Sequence, residues 1–493
     1  MLLTIWLEIH IKLKSENKMF CQCPNQQNFD TLQANTNICP VCTWQPWALP
    51  TLSKEVLDKA LLLWKALNCD INEISQFDRK SYFYPDLPMW YQITQLYKPT
   101  NINGHVPFFV DNEYSQERII HIQDAHMECD TGKMIHQWWE ALLDFNRAGT
   151  PLVEIVTKPD FTSSDEVVEF LKELQRIVRY NDIADADMEK WQMRCDVNIS
   201  VRKNESDQYW TRVELKNMNS FSAIKRAIQH EYDRQSALYD KWEKFNQQTR
   251  GRDDAKWESY LMRSKEDALD YRYFPEPDLP PLVLDKLIIK RLDNQTLEIP
   301  YQTIKQFKEY WFHKEYINAI ISDKETLNYF LSILSSFGKG GGWKPEDLKT
   351  EEKLNAKNLA KWISWPISAR TKENFKSINE LKFDKTKFQK FLNISKEWNI
   401  LENQLKIVID EMLNLGKDPN DIIKDKWFDA PAIDAWELEN ICKKVIEENP
   451  DIVQQYKWWK TTTLWFFVWQ VMKKSWGKAN PKIIWDLVMK LLE

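Results

Sequence analysis

Apolar and polar residues alternate with strict period two along residues 5–13. Ile5, Leu7, Ile9, Ile11 and Leu13 are apolar, and Glu8, His10 and Lys12 fall between them. Successive side chains on an extended chain point to opposite faces, so this pattern predicts a strand that buries one face and gathers Glu8, His10 and Lys12 on the other. The pattern recurs in residues 193–202, where Met193, Cys195, Val197, Ile199 and Val201 alternate with Arg194, Asp196, Asn198, Ser200 and Arg202. Residues 212–216 place Arg212, Glu214 and Lys216 around Val213 and Leu215, and residues 152–156 set the single carboxylate of Glu154 in an apolar run. Residues 119–133 read as a further strand, on which Glu128 and Asp130, two apart, share a face. Several strands are thus expected to build one mixed or antiparallel sheet with a charged face.

Elsewhere the period is helical. Leu52, Val56, Leu57, Ala60, Leu63 and Leu67 mark one helix. Val168, Leu171, Leu174 and Val178 mark a second over 165–180, with Ser163 or Ser164 as its cap, and a long third runs from about 221 to 239. Residues 77–95 and 270–280 are rich in aromatics and proline and read as irregular; Pro275, Pro277, Pro280 and Pro281 forbid a helix there. After residue 285 the chain becomes Lys-rich and helical, with a loop at 338–342, and two apolar helices are expected around 465–472 and 483–492. The expected class is α+β: a sheet domain over 1–292, a helical domain over 293–400 and a helical tail over 401–493.

The charged face suggests chemistry. Carboxylates beside an imidazole favour a hard cation such as magnesium. Arg and Lys next to them favour phosphate. The combination points to phosphoryl transfer on a cradle-like sheet. The net charge of −6 offers no global basic field, so any nucleic-acid contact must be local; Lys473, Lys474, Lys478 and Lys482 form one such basic patch. No uninterrupted apolar run approaches a membrane span. The apolar start of the chain is broken by Glu8, His10 and Lys12 before a secretory core could form. The expectation is a cytoplasmic protein that does not engage a membrane.

Cys21 and Cys23, followed by Cys39 and Cys42, are two close thiol pairs whose spacing suits a tetrahedral structural zinc in a reduced compartment. Cys69, Cys129, Cys195 and Cys442 are isolated and read as core residues. One feature of the composition is abnormal: 24 Trp against 10 Gly in 493 residues, where glycine ordinarily supplies about 7%. Taken together the two types come close to that ordinary glycine share. Trp44 and Trp47 stand in a turn-like stretch, and the surroundings of Trp458, Trp459 and Trp476 read as loops. Many Trp are therefore read as glycines, written through a code that assigns one codon differently. Trp362, in Lys-Trp-Ile-Ser at 361–364, reads as a true Trp.

Together these stretches resemble the B subunit of the aspartyl/glutamyl-tRNA(Asn/Gln) amidotransferases. The resemblance is carried by Trp-Leu-Glu-Ile-His at 6–10, Lys-Met-Phe-Cys at 18–21, Asn-Thr-Asn-Ile-Cys-Pro-Val-Cys at 35–42, Phe-Asp-Arg-Lys at 77–80, and the segments 82–88 and 91–95. It continues through His-Met-Glu at 126–128, 144–151, Arg-Cys-Asp-Val-Asn-Ile-Ser at 194–200, 214–221 and 270–280, and returns over 456–481. The family pattern has Gly where this chain has Trp6, Trp44, Trp47, Trp90, Trp191, Trp210, Trp465 and Trp469.

The resemblance implies a cradle domain that binds ATP and magnesium and phosphorylates the side-chain carboxylate of Glu-tRNA(Gln) or Asp-tRNA(Asn). An amidase A subunit supplies ammonia from glutamine, a small C subunit completes a heterotrimer, and a tail similar to the YqeY family holds the tRNA. Glu8, His10, Glu128 and Glu154 are the expected catalytic set, with His10, Glu128 and Glu154 as magnesium ligands. Arg79, Lys80, Arg147 and Lys216 are candidates for phosphate contact, and Asp196 and Glu214 for a second cation or for orienting the basic groups. Cys21, Cys23, Cys39 and Cys42 would hold structural zinc. Two competitors remain: the archaeal-type kinase subunit, for whose extra inserted domain the chain leaves no room, and a non-catalytic zinc-bearing tRNA-binding protein. A free-standing amidase is disfavoured, because no Ser-Lys nucleophile constellation is evident.

Overall fold

A computed structural model describes the chain except residues 27, 112, 254–257, 265–269, 285, 294–296, 310–311, 336–349, 368–377, 382–384, 397–399, 427, 429–433, 458–463, 476–478, 480 and 493. The expected loop at 338–342 and the expectations on Trp458, Trp459, Trp476 and Lys478 lie outside the described residues. The described chain divides into two compact units, Met1–Glu309 and Tyr310–Glu493.

The first unit is built on a nine-stranded sheet. Strand Leu2–Lys12 occupies its centre, paired antiparallel with Met193–Arg202 on one side and Pro151–Thr157 on the other. Beyond Pro151–Thr157 come Glu117–Cys129, Asn101–Phe109 and the short Asp70–Ile71. Beyond Met193–Arg202 come Val213–Lys216, Gln248–Asp253 and Glu258–Ser264. All these pairings are antiparallel except that of Val213–Lys216 with Gln248–Asp253, which is parallel. The alternation in the sequence decides the faces: Ile5, Leu7, Ile9 and Ile11 are fully buried, as are Val197 and Ile199 beside them. Each such side chain contributes about 1.5–3 kcal/mol by leaving water.

Three helices share this apolar core: Lys54–Ala66, Ser164–Tyr180 and Phe221–Asp240. Ser164–Tyr180 begins where the Ser163 hydroxyl accepts the Glu166 backbone N–H at 3.2 Å, which satisfies one of the helix's orphan donors. It buries Val167, Phe170, Leu171, Leu174, Ile177 and Val178. Ser220 caps Phe221–Asp240 in the same way, accepting from Ala223 at 3.2 Å.

The stretch expected to be irregular, 77–95, is more ordered than its composition suggests. Asp78–Ser81 and Tyr91–Thr94 are strands of a small antiparallel sheet, completed by Phe274–Pro275. The partner strand comes from almost two hundred residues further on, so no local period signals it.

The second unit is helical, with Lys314–Ile320, Lys324–Leu334, Thr350–Trp362, Lys385–Ile394, Glu402–Leu415 and Pro419–Asp425 in its first part. Ala435–Glu447, Leu464–Lys474 and Pro481–Leu492 then share a core of Leu438, Cys442, Val445, Phe467, Val471, Ile484 and Val488. No described helix is long and apolar enough to cross a membrane.

Tryptophans fall into two groups. Trp362 is 2% exposed and packs edge-on against Phe391 at 4.9 Å, as a core Trp should. Trp44, Trp47, Trp90, Trp138, Trp191 and Trp242 instead have φ between 52° and 71°, the left-handed region that glycine enters freely and other residues enter at a cost of about 1–2 kcal/mol. Trp47 is 99% exposed and Trp138 94%. Trp210, although read as glycine from the sequence, is packed against Tyr239 and Phe245.

Candidate functional site

Register brings the charged residues together. His10 lies opposite Glu154 on one neighbouring strand and Arg194 on the other, and Glu154 lies opposite His126. The polar face therefore reads across the sheet as Arg194, His10, Glu154, His126. Glu128, two residues beyond His126, joins the same face. His10 Nε2 stands 3.5 Å from Glu128 Oε1 and 3.4 Å from Glu154 Oε2. His126 Nε2 is 3.5 Å from the same Glu154 oxygen, and its Nδ1 is 2.7 Å from Asp124 Oδ1.

Burial alone would lower the His10 pKa, but the charge of Glu154 and the hydrogen bonds to Glu128 and Glu154 outweigh it and raise it to about 9. Burial would likewise raise the Glu154 pKa, yet the two imidazoles hold it well below the usual carboxylate range. His126 is raised to about 10: burial opposes the charged form, and Asp124 and Glu154 override it.

Glu128 is 2% exposed. Gln92, from the small sheet, donates from Nε2 to its Oε1 at 2.5 Å and to the Cys129 carbonyl at 2.8 Å. Tyr82 OH in turn donates to Gln92 Oε1 at 2.9 Å. The other oxygen of Glu128 is buried without a hydrogen-bond donor, 3.8 Å from Lys80 Nζ. An acceptor left open in a buried, charge-balanced setting suits a cation ligand. One ligand atom each from His10, Glu128 and Glu154 lies within 4.8 Å of the others. These residues fit a divalent cation held by oxygen and imidazole, binding of which would displace the His10 proton.

Glu8, expected with that set, lies instead with Asp196 and Glu214 in a second cluster of the same compactness. Lys216 bridges Asp196 and Glu214, the latter at 3.0 Å. Asn198 donates to Glu8 Oε1 at 3.1 Å and Thr249 to Glu214 Oε2 at 2.9 Å. Burial, with Glu154 and Glu214 close by, raises the Glu8 pKa. The central strand thus feeds both clusters, His10 to one and Glu8 to the other.

His10, Lys80, Gln92, Glu128, Arg147, Arg194, Asp196 and Lys216 line one cleft of ≈ 670 Å³. Arg79 does not: its guanidinium is clasped by Glu276 at 2.7 and 2.8 Å, reaches Asp278 at 3.3 Å and lies over the Tyr91 ring. It fastens Asp78–Ser81 to the segment after Phe274–Pro275, and is not available to a ligand in the cleft. The sequence patterns do not single out His126, Gln92, Tyr82, Asp130 or Arg194 as site residues. The period-two rule is the signal available for His126, which shares a face with Glu128; Gln92 carries none.

The four thiols also converge. One sulfur each from Cys21, Cys23, Cys39 and Cys42 lies within 4.8 Å of the others. The Cys42 thiol is pushed down to about 5, first by a hydrogen bond from Cys21 and then, against burial, by the nearby Lys18 ammonium. Lys18 itself is fully buried, with Nζ 3.7 Å from Cys42 Sγ and 2.8 Å from the Asn37 carbonyl. Four converging thiols, with Cys42 drawn toward the thiolate beside a buried ammonium, fit a structural zinc. Asn35 and Asn37 of this loop accept and donate bonds with Asp144, Phe145 and Asn146, so the loop is laced to the segment that carries Arg147.

Residues 3–290 match the model of the GatB/GatE catalytic domain, and residues 348–492 match that of the GatB domain. The chain is similar to proteins named as the B subunit of aspartyl/glutamyl-tRNA(Asn/Gln) amidotransferase. It is 36% identical to that of Persephonella marina over 99% of both chains. It is 38% identical to that of Thermosipho melanesiensis and 37% identical to that of Thermotoga maritima, each over 99% of this chain and 98% of the relative.

Proposed function

The chain belongs to the GatB family, and we propose that it is the B subunit of a tRNA-dependent amidotransferase, acting on Glu-tRNA(Gln), Asp-tRNA(Asn) or both. Relatives named as B subunits along their whole length favour this reading over a non-catalytic tRNA-binding protein. The observation that carries the chemistry is the convergence of His10, Glu128 and Glu154, the first two of which line a cleft together with Lys80, Arg147, Arg194 and Lys216.

A carboxylate resists ammonia because its leaving group would be oxide. Transfer of the γ-phosphoryl group of ATP removes that obstacle. A bond forms between the side-chain carboxylate oxygen and the γ-phosphorus, and the bond to the β,γ-bridging oxygen breaks, releasing ADP. Ammonia then attacks the acyl carbon, the carbon–oxygen bond to phosphate breaks, and ammonia loses a proton as the amide forms. Such chemistry asks the protein mainly for positioning and charge stabilisation. Magnesium, when bound, neutralises charge on the phosphoryl oxygens. His10, Glu128 and Glu154 would hold it. Gln92 and Lys80 fix Glu128, and Asp124 fixes His126 against Glu154. Lys80, Arg147 and Lys216 face the phosphates, while Glu8, Asp196 and Glu214 hold Lys216 or a second cation.

The remaining assignments follow the family. Residues 1–292 form the ATP- and magnesium-dependent kinase domain, with structural zinc on Cys21, Cys23, Cys39 and Cys42. Residues 293–400 form a helical domain, and 401–493 a tail that binds tRNA. An amidase A subunit and a small C subunit complete a cytoplasmic heterotrimer.

The test is amidation by this chain assembled with its A and C partners, given ATP, magnesium, glutamine and Glu-tRNA(Gln) or Asp-tRNA(Asn). The expected result is Gln-tRNA(Gln) or Asn-tRNA(Asn) that vanishes without ATP. Tight tRNA binding with no ATP turnover on either substrate would overturn the kinase assignment.

A further inference from the structure

Asp130 lies one residue beyond the Glu117–Cys129 strand, and two guanidiniums converge on it. Arg194 Nη2 stands 3.2 Å from Oδ1 and Arg147 Nε 3.5 Å from Oδ2. Arg147 is fixed further by the carbonyls of Thr131 at 3.0 Å and Gly132 at 2.7 Å, whereas Arg194 makes its ion pair with Asp130. One carboxylate between two permanent cations leaves a net positive pair, and all three residues line the ≈ 670 Å³ cleft beside His10 and Glu128. A guanidinium is a planar fork that matches phosphate oxygens in pairs of hydrogen bonds. We propose that Arg194 and Arg147 form a clamp for the polyphosphate of ATP, and that Asp130 is the positioning residue that aims both.

This inference rests on the kinase reading above. The experiment is steady-state amidation by the assembled heterotrimer carrying Asp130→Asn, Arg194→Ala or Arg194→Lys, with ATP and charged tRNA varied separately. Two opposed effects separate positioning from simple charge. Asp130→Asn makes the cleft more positive, so a purely electrostatic role for Asp130 predicts a lower KM for ATP. Positioning predicts a KM for ATP raised at least tenfold. Arg194→Ala should raise it similarly and Arg194→Lys less, with the KM for charged tRNA within twofold throughout. An unchanged or lowered KM for ATP, or an effect confined to the KM for tRNA, overturns the clamp. Binding of a fluorescent ATP analogue reads the same effect without turnover, and thermal melting identifies a variant that fails to fold. Wild-type protein without ATP-dependent product would instead overturn the kinase reading itself.

A separate observation carries a second inference. Trp44, Trp47, Trp90, Trp138, Trp191 and Trp242 adopt left-handed backbone, the region that Gly149 and Gly416 also occupy. Trp47 is 99% exposed and Trp138 94%, so packing does little to offset the strain there. A Cβ-bearing residue is strained at such backbone, and glycine enters it freely. We infer that the cell inserts glycine there, through a codon that it decodes differently from the usual assignment to Trp. Peptide mass spectrometry of the protein purified from its own cells decides the matter. Glycine at 44, 47, 90 and 191 is expected, with Trp retained at 362. Tryptophan in the peptides covering 44 and 47 overturns it.

Discussion

Glu128 combines burial, an open oxygen and a direct contact with His10, and it tests the site at the level of one residue. Glu128→Gln keeps the shape but removes the charge. Amidation should fall below detection while assembly with the A and C partners, followed by gel filtration, is retained; measurable turnover in that variant would remove Glu128 from the site. Arg79 makes the opposite case. Its partner Glu276 is 2% exposed, and breaking a buried pair by removing one member costs about 3–5 kcal/mol. Arg79→Ala should lower the midpoint of denaturant unfolding without a selective change in the KM for ATP. The difference between these two residues is not legible in the sequence, because both are charged groups near the same strands. What separates them is which face each meets, and for Arg79 that is decided by Glu276, nearly two hundred residues away. Glu8 departs from its expected cluster for a related reason. Period two puts it on the same face as His10 but says nothing about which neighbouring strand supplies its partners.

At the scale of elements, the long alternating strands and the amphipathic helices are readable, because a period repeated over ten or more residues leaves little choice of buried face. For the helix 165–180 the sequence offers Ser163 or Ser164 as cap, and the structure selects Ser163. Ser163→Ala removes the acceptor for the Glu166 N–H and should cost about 1 kcal/mol of stability, read as a lower chemical-denaturation midpoint at unchanged slope. The small sheet that delivers Lys80 and Gln92 to the site is not readable. Its strands are four residues long or fewer and are interrupted by the proline-rich segment 82–88, so neither length nor period distinguishes them from a loop.

For the whole molecule, a net charge of −6 hides a cleft lined by several Lys and Arg, because composition averages over surfaces that function keeps apart. The thiol cluster links local chemistry to the stability of the first unit. Its loop is hydrogen-bonded to Asp144, Phe145 and Asn146, next to Arg147. Metal analysis of the native protein should find one zinc per chain. A strong chelator should remove it and lower the melting temperature, since the binding energy of a structural zinc is folding energy. A metal-free protein with an unchanged melting curve would show the thiols to be ordinary core groups.

The central place of strand Leu2–Lys12 has a consequence for the birth of the molecule. The strand is made before both of its neighbours, Pro151–Thr157 and Met193–Arg202, and waits for them. At about 5–20 residues per second of synthesis, some ten to forty seconds pass before the second neighbour has been made. Until residues 151–157 have been made, a segment with five fully buried apolar side chains in its final form, from Ile5 to Leu13, has neither of these strands to pair with. The nascent chain therefore exposes a sticky β-segment ahead of both of its partners, and its yield in the cell should depend on a holding chaperone at the ribosome exit.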